Sequence, residues 1–338
     1  MVCFCILKGK IRFEMDKYLL EKLLLPKDED GVNFSKATFN IPGIFLFSKI
    51  IYHVIDVIFD KIGYRLPIKY IYGSPQLKWN NGRLILNNYN NSHMLYEIEG
   101  EIIMAKERGI TPLLTFSNLF ISDQDLEDEK CNTVLNILDK YNCGVIVSSD
   151  KLENYIRQQY KNISIHASVI KTSLENNRTI EYYKNLSKKY QVYVVNPDDN
   201  FDLNLLKDLP KDNSEIILNE RCIYQCKQRK AHYEAISKEQ IAQAKQINLD
   251  LNFLSGCRAI PEYKQSKLKE RTISLTIEEV KRIYGMGHRL YKLQGRTDNL
   301  YVFFFDLLRY TLQNEIVFPT IYPIIAHYIE KFLKEVQP

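Results

Sequence analysis

Cys222 and Cys226 stand with three residues between them in the stretch Asn219-Glu220-Arg221-Cys222-Ile223-Tyr224-Gln225-Cys226-Lys227-Gln228-Arg229-Lys230, a spacing at which two thiols on a turn can grip one metal ion or one cluster. Arg221, Lys227, Arg229 and Lys230 surround them, and positive charge there favours the ligating thiolate and offsets the charge of a bound group. Cys257, in Ser255-Gly256-Cys257-Arg258, lies on a second loop before the next expected strand and is placed to close on the pair. Cys131 opens a helix on the same side of the expected fold and is the expected fourth ligand. Four thiolates suit a [4Fe-4S] cluster. Zinc is the alternative, disfavoured because zinc pairs usually take a tighter spacing on a knuckle. A radical S-adenosylmethionine cluster needs a further cysteine three residues after Cys226, where Arg229 stands, and is excluded. Cys143 falls on the opposite face, and Cys3 and Cys5 in an N-terminal strand, so these three read as buried apolar residues. Plain burial in a reducing compartment is the competing reading of the whole set.

Other polar residues gain interest from position. His232 follows the cysteine pair and is the best placed of the six histidines as a proton donor. Glu220 precedes the pair directly. Asn118 and Arg83 fall on long loops after expected strands, where a substrate would sit. Asp150 and Asp198 lie at similar points but read as helix N-caps. His166, inside an expected strand, reads as a satisfied interior histidine. No phosphate-binding glycine loop, Gly-x-Ser-x-Gly elbow or His-Glu-x-x-His helix occurs, so kinase and common hydrolase chemistries lack support.

The elements that must position these residues alternate. Short apolar or β-branched runs over 68–73, 111–117, 144–149, 163–169, 192–196, 215–219, 272–275 and 289–293 are separated by amphipathic stretches over 95–108, 129–141, 151–160, 180–189, 203–209, 231–246 and 277–284, and a helix over 300–312 follows the last strand. Eight strand–helix units with strands buried on both faces predict an α/β fold, a TIM-like (β/α)8 barrel with additional N- and C-terminal helices. Residues 1–66 read as an N-terminal extension with a helix over 45–62, residues 67–316 as the barrel with a cysteine-bearing insertion over 221–270, and residues 317–338 as a C-terminal helix. In such a barrel chemistry gathers at the C-terminal ends of the strands, which is where the cysteine pair falls.

Composition sets the outer bounds. The chain of 338 residues is 45% hydrophobic and carries a net charge of +5 with its basic residues scattered, a mild pointer to an anionic ligand. Nucleic acid is neither indicated nor excluded. The N-terminus is too soon interrupted by Lys8 and Lys10 for a secretory signal. The longest apolar stretch, 41–62, is broken by charges and lacks the roughly 20 apolar residues of a membrane span. An odd number of cysteines argues against a disulfide framework, and the expected location is cytoplasmic.

The second half resembles a known family. A strand carrying Glu215 and ending in Asn219-Glu220-Arg221-Cys222, later cysteines, and Tyr291-Lys292-Leu293-Gln294-Gly295-Arg296 on the last strand are similar to the collagenase-like peptidase family, with Gln294 where that family has Glu. The resemblance spans roughly residues 214–312, including the aromatic helix over 299–310. It implies a (β/α) barrel holding a four-iron cluster through cysteines, with oxygen-independent hydroxylation of ubiquinone precursors or of RNA as the associated activities. It carries over Cys222, Cys226 and Cys257 as cluster ligands, and Lys292, Gly295 and Arg296 as the last-strand motif. Gly295 would let the chain turn at the barrel rim, and Arg296 would present a guanidinium fork to an anionic group.

These readings combine into an expected redox or modification enzyme. Its cluster would be bound by Cys222, Cys226, Cys257 and Cys131, with Glu220, His232 and Arg296 as catalytic residues and Arg83, Asn118 and Lys292 binding a small molecule or RNA, and an electron donor as partner. The alternative is a non-catalytic, metal-stabilised barrel serving as a subunit of a modification complex. Peptidase activity ranks below both.

Overall fold

The computed structural model describes residues 3–7, 10–14, 36–62, 65–81, 93–247, 249, 272–295, 299–311 and 321–336. Strands β1 (Cys3–Leu7) and β2 (Lys10–Glu14) form an antiparallel hairpin. The chain then lays down β3 (Thr38–Pro42), β4 (Ile68–Gly73), β5 (Thr111–Phe116), β6 (Gly144–Val147), β7 (Ser164–Ala167), β8 (Val192–Val194) and β9 (Ser214–Ile217). Two strands follow, β10 (Asn219–Ile223) and β11 (Thr272–Ser274), and then β12 (Leu290–Lys292). Strands β3 to β9 pair in parallel with their neighbours, and β12 pairs in parallel with β9 on one side and β3 on the other, with Leu290 in register with both Glu215 and Thr38. This is the expected closed eight-stranded barrel.

Alternation along the strands divides the core. Phe39, Ile41, Ile71, Leu114 and Phe116 point outward into a continuous core beneath the helices, while Tyr70, Leu113, Ile146, Val192 and Leu290 form a second cluster inside the barrel. The strands are buried on both faces, as parallel barrels require.

The outer layer runs α1 (Ser48–Ile62), α2 (His93–Glu107), α3 (Glu129–Lys140), α4 (Asp150–Gln159), α5 (Ile180–Lys189), α6 (Leu203–Asp208), α7 (Arg229–Ala244), α8 (Ile277–Gly285), α9 (Leu300–Thr311) and α10 (Tyr322–Val336). In α1, Ile50, Ile51, Val54, Ile55 and Ile58 recur at helical spacing and are buried, whereas Lys49 and His53 are exposed. Side-chain caps start the helices: Asp128 accepts from Cys131 N at 3.0 Å ahead of α3, and Thr276 with Glu279 forms a capping box ahead of α8. The C-terminal α10 packs on α1 and α9, with the Tyr328 ring edge-on to His53 at 4.9 Å. No helix among the described residues is long and apolar enough to cross a membrane.

Two boundaries differ from the expectation. The barrel opens at Thr38, inside the segment read as an N-terminal extension, and the helix read there as a packing element is α1, the first crossover helix. The run over 272–275 is not a barrel strand. Its β11 pairs antiparallel with β10 outside the barrel, because the chain leaves the sheet after β9 and returns beside its own outgoing path.

Candidate functional site

A cavity of about 680 Å³ opens at the C-terminal ends of the barrel strands. Its floor holds a buried charge pair: Lys292 Nζ lies 3.2 Å from Glu215 Oε2, with the two side chains 7% and 2% exposed. Asn40 Nδ2 donates to the other Glu215 oxygen at 2.7 Å. The same ammonium sits 4.1 Å from the centre of the Tyr72 ring, and Tyr72 OH donates to the Leu293 carbonyl at 2.8 Å. The inward positions of β3, β4, β9 and β12 thus converge on one ammonium held by a carboxylate and a π face. His166 also faces the interior, edge-on to Tyr70 at 5.1 Å. Burial, reinforced by Lys292 and Lys69, depresses its pKa to about 3, so it is neutral, as an interior histidine should be.

The cysteine turn is stitched to the same rim. Leu218 N donates to the Lys292 carbonyl at 2.9 Å, and Asn219 exchanges hydrogen bonds with the Gln294 backbone at 2.6 and 3.3 Å. Glu220 is 2% exposed; one of its oxygens accepts from Cys222 N at 2.9 Å and the other accepts from Gln294 Nε2. Glu220, expected as a catalytic residue, ties the thiol-bearing strand to the end of β12. Tyr310 of α9 donates to the Leu275 carbonyl at 2.7 Å and locks the ribbon from behind.

At the tip, Cys222 and Cys226 are both thiols, and Cys226 donates a hydrogen bond to Cys222. Gln225 between them takes a left-handed conformation, φ +51°, and its N–H is caught by Asp198 Oδ1 at 2.9 Å. Asp198 also grips Arg229 at 2.6 and 3.1 Å, and Arg229 donates to the Ile223 carbonyl at 2.8 Å. Asp198, expected as a helix cap, instead anchors the cysteine turn. The hydrogen bond from Cys226, with Arg229 close by, draws the first proton off the pair more easily than off a lone thiol; Cys226 then holds the second proton more tightly. A side cavity of about 320 Å³, lined by Cys226, Arg178, Lys227 and Arg229, gives access to the turn.

Helix α7 covers the mouth. His232, Tyr233 and Ile236 line the large cavity, and the helix is held there by Ser237. Asn81 Nδ2 donates to Ser237 Oγ at 2.6 Å, Leu119 N to the same oxygen at 3.3 Å, and Asn118 Nδ2 to the Ser237 carbonyl at 3.0 Å. Asn118 gives its other amide proton to the Asn80 carbonyl at 3.1 Å and accepts from Phe120 N at 2.9 Å. Expected to bind substrate, it spends one amide proton on α7 and the other on the Asn80 loop.

The structure thus gathers Lys292 and His232 on one cavity, ties Glu220 to Gln294 on its wall, and places Cys226 on the separate side cavity. Arg83, Cys257 and Arg296 lie outside the described residues. Cys131 does not join the thiol pair: it is buried in the apolar core on α3 with Val134, Leu135 and Leu138, and no group of three metal-capable side chains converges among the described residues. Cys143 is buried, and burial raises its pKa to about 11. Gly295 is required by close approach, since a Cβ there would lie 2.5 Å from Pro42 Cβ on the neighbouring strand. Glu215, Asn40 and Asn81 were not singled out as site residues from the sequence; the signal available for Asn40 was a polar residue between apolar Phe39 and Ile41.

No protein-family model matches the chain, and no curated protein matches it. Among solved structures it is similar to the U32 peptidase Mk0906, at 14% identity and TM-score 0.48 over 77% of this chain and 94% of that one. It also aligns with a family 1 β-glucosidase from Thermotoga maritima, at 11% identity and TM-score 0.18 over 73% of this chain and 53% of that one. The barrel itself rests on the strand pairing described above.

Proposed function

We propose that the chain is a (β/α)-barrel protein that holds an iron–sulfur cluster through Cys222, Cys226 and Cys257 and modifies a small substrate seated in the cavity beneath α7. The observation that carries this reading is the Cys222–Cys226 contact on a turn fixed at Asn219, Glu220 and Asp198. Two thiols on one turn, with a buried guanidinium beside them to offset thiolate charge, are soft donors of the kind a cluster takes, and they would have to part to reach separate irons. The resemblance of residues 214–312 to the collagenase-like peptidase family supports the same choice. When bound, such a cluster supplies one-electron chemistry. The chain's own residues orient the substrate, exclude water under α7 and offer His232 and Lys292 at the cavity wall.

Anaerobic purification followed by visible absorption spectroscopy tests the reading. A brown protein that bleaches with dithionite is expected, with the colour absent from Cys222→Ser and Cys226→Ser. A colourless protein with one tightly held zinc per chain overturns it in favour of a metal-stabilised, non-catalytic barrel. That second reading draws on the same stitching, which would suit a structural site equally.

A further inference from the structure

The mouth cavity carries two buried acceptors that meet no donor among the described residues. Asn81 and Gln294 each line it and are each 7% exposed. Asn81 commits its Nδ2 to Ser237 Oγ and the Tyr233 carbonyl, and Gln294 commits its Nε2 to Glu220. Each amide nitrogen faces an acceptor, so the amide orientation is fixed and the carbonyl oxygens, Asn81 Oδ1 and Gln294 Oε1, have no hydrogen-bond partner among the described residues. A buried acceptor without a donor is costly, which marks both as places where a ligand's N–H belongs. The walls are mostly apolar, including Phe45, Ile146, Ile217 and Ile236, with the hydroxyls of Ser74, Thr115, Ser117 and Ser168 and the His232 ring among them. Beside Gln294, Lys292 is the described charged group on the cavity wall, and its ammonium can donate to a ligand carbonyl.

We infer that the cavity binds an uncharged molecule with an apolar body and a carboxamide group, N–H donated to Gln294 Oε1 or Asn81 Oδ1 and carbonyl oxygen received by Lys292. A carboxylate would bring lone pairs against the two amide oxygens. An ammonium would meet Lys292 and lose its hydration among apolar walls. The net positive charge of the chain had suggested an anionic ligand; the described cavity groups favour a neutral one. The inference concerns the cavity alone and stands whether or not the thiols carry a cluster.

Calorimetric titration of the whole protein with phenylacetamide, methyl phenylacetate, phenylacetate and phenethylamine tests it, the four sharing a body and differing in the polar end. The amide is expected to bind about tenfold or more tighter than the ester, which lacks N–H, and than either charged analogue. Asn81→Leu and Gln294→Leu should each reduce that preference while circular dichroism shows the barrel intact. If a variant unfolds, the ligand series on the unchanged protein still decides. Equal or tighter binding of the ester or acid overturns the inference, as does absence of binding by the amide. Metal content measured on the same samples keeps this outcome separate from that of the cluster proposal.

Discussion

Gln294 and Asn219 hold each other in both directions: the Gln294 N–H donates to Asn219 Oδ1 at 2.6 Å, and Asn219 Nδ2 donates to the Gln294 carbonyl at 3.3 Å. The exchange fastens the strand leading to the cysteines onto the last barrel strand, so thiols and mouth cavity share one frame. Asn219 Nδ2 also reaches Asp306 at 2.8 Å. Asn219→Ala leaves a buried N–H and part of a carboxylate unsatisfied. A loss of about 2–3 kcal/mol is expected, read as a lower urea midpoint at unchanged slope.

The Lys292–Glu215 pair is buried on both sides, so removing one partner strands a charge. Lys292→Met should cost about 3–5 kcal/mol. Adding Glu215→Gln to it should recover part of that loss. Chemical denaturation of the two singles and the double would show the non-additivity; additive losses would mean that the pair is not coupled.

In the metal-free protein, alkylation of Cys222 should track its thiolate. Contact with Cys226, then Arg229, lowers its pKa to about 6, so the rate rises through that region and is already high at neutral pH. Lowering the pH below 6 returns the proton and slows the reaction. Arg229→Met removes the stabilising cation and should move the profile to higher pH. Iodoacetamide kinetics with mass-spectrometric site assignment measures this, and a profile centred in the ordinary thiol range would contradict it.

Gly295→Ala should destabilise the barrel by about 1–3 kcal/mol, although the position needs no left-handed backbone. The added Cβ would approach Pro42 Cβ to 2.5 Å, and neither strand end has a flexible side chain to yield. Thermal denaturation checks it, and an unchanged melting temperature would show that β3 and β12 can separate at the rim without cost.

The periodic part of the fold was legible, because parallel strands buried on both faces leave continuous apolar runs such as Gly144–Val147. Strand β3 was not, since Thr-Phe-Asn-Ile-Pro is five residues long, ends in proline and points its asparagine into the barrel, where Glu215 waits 175 residues away. The run at 272–275 carries an apolar pattern, yet its partner is the outgoing cysteine strand, and pattern alone does not name a partner. Among candidate residues, Cys222 and Cys226 could be picked by type and place, and Lys292 through the resemblance of the last strand. Glu220, Asn118 and Asp198 were also visible, but their roles were not: each is tied to a group distant in the chain, Gln294, Ser237 and Arg229 respectively. A polar residue at a strand end looks the same in sequence whether it meets a substrate or holds a loop.

What the thiol pair holds can be read from iron and acid-labile sulfide per chain, measured on anaerobically purified protein beside the Cys222→Ser/Cys226→Ser double variant. Iron and sulfide in equal amounts are expected in the unaltered protein and neither in the variant. Stoichiometric zinc in place of iron, or iron retained by the variant, would contradict that expectation.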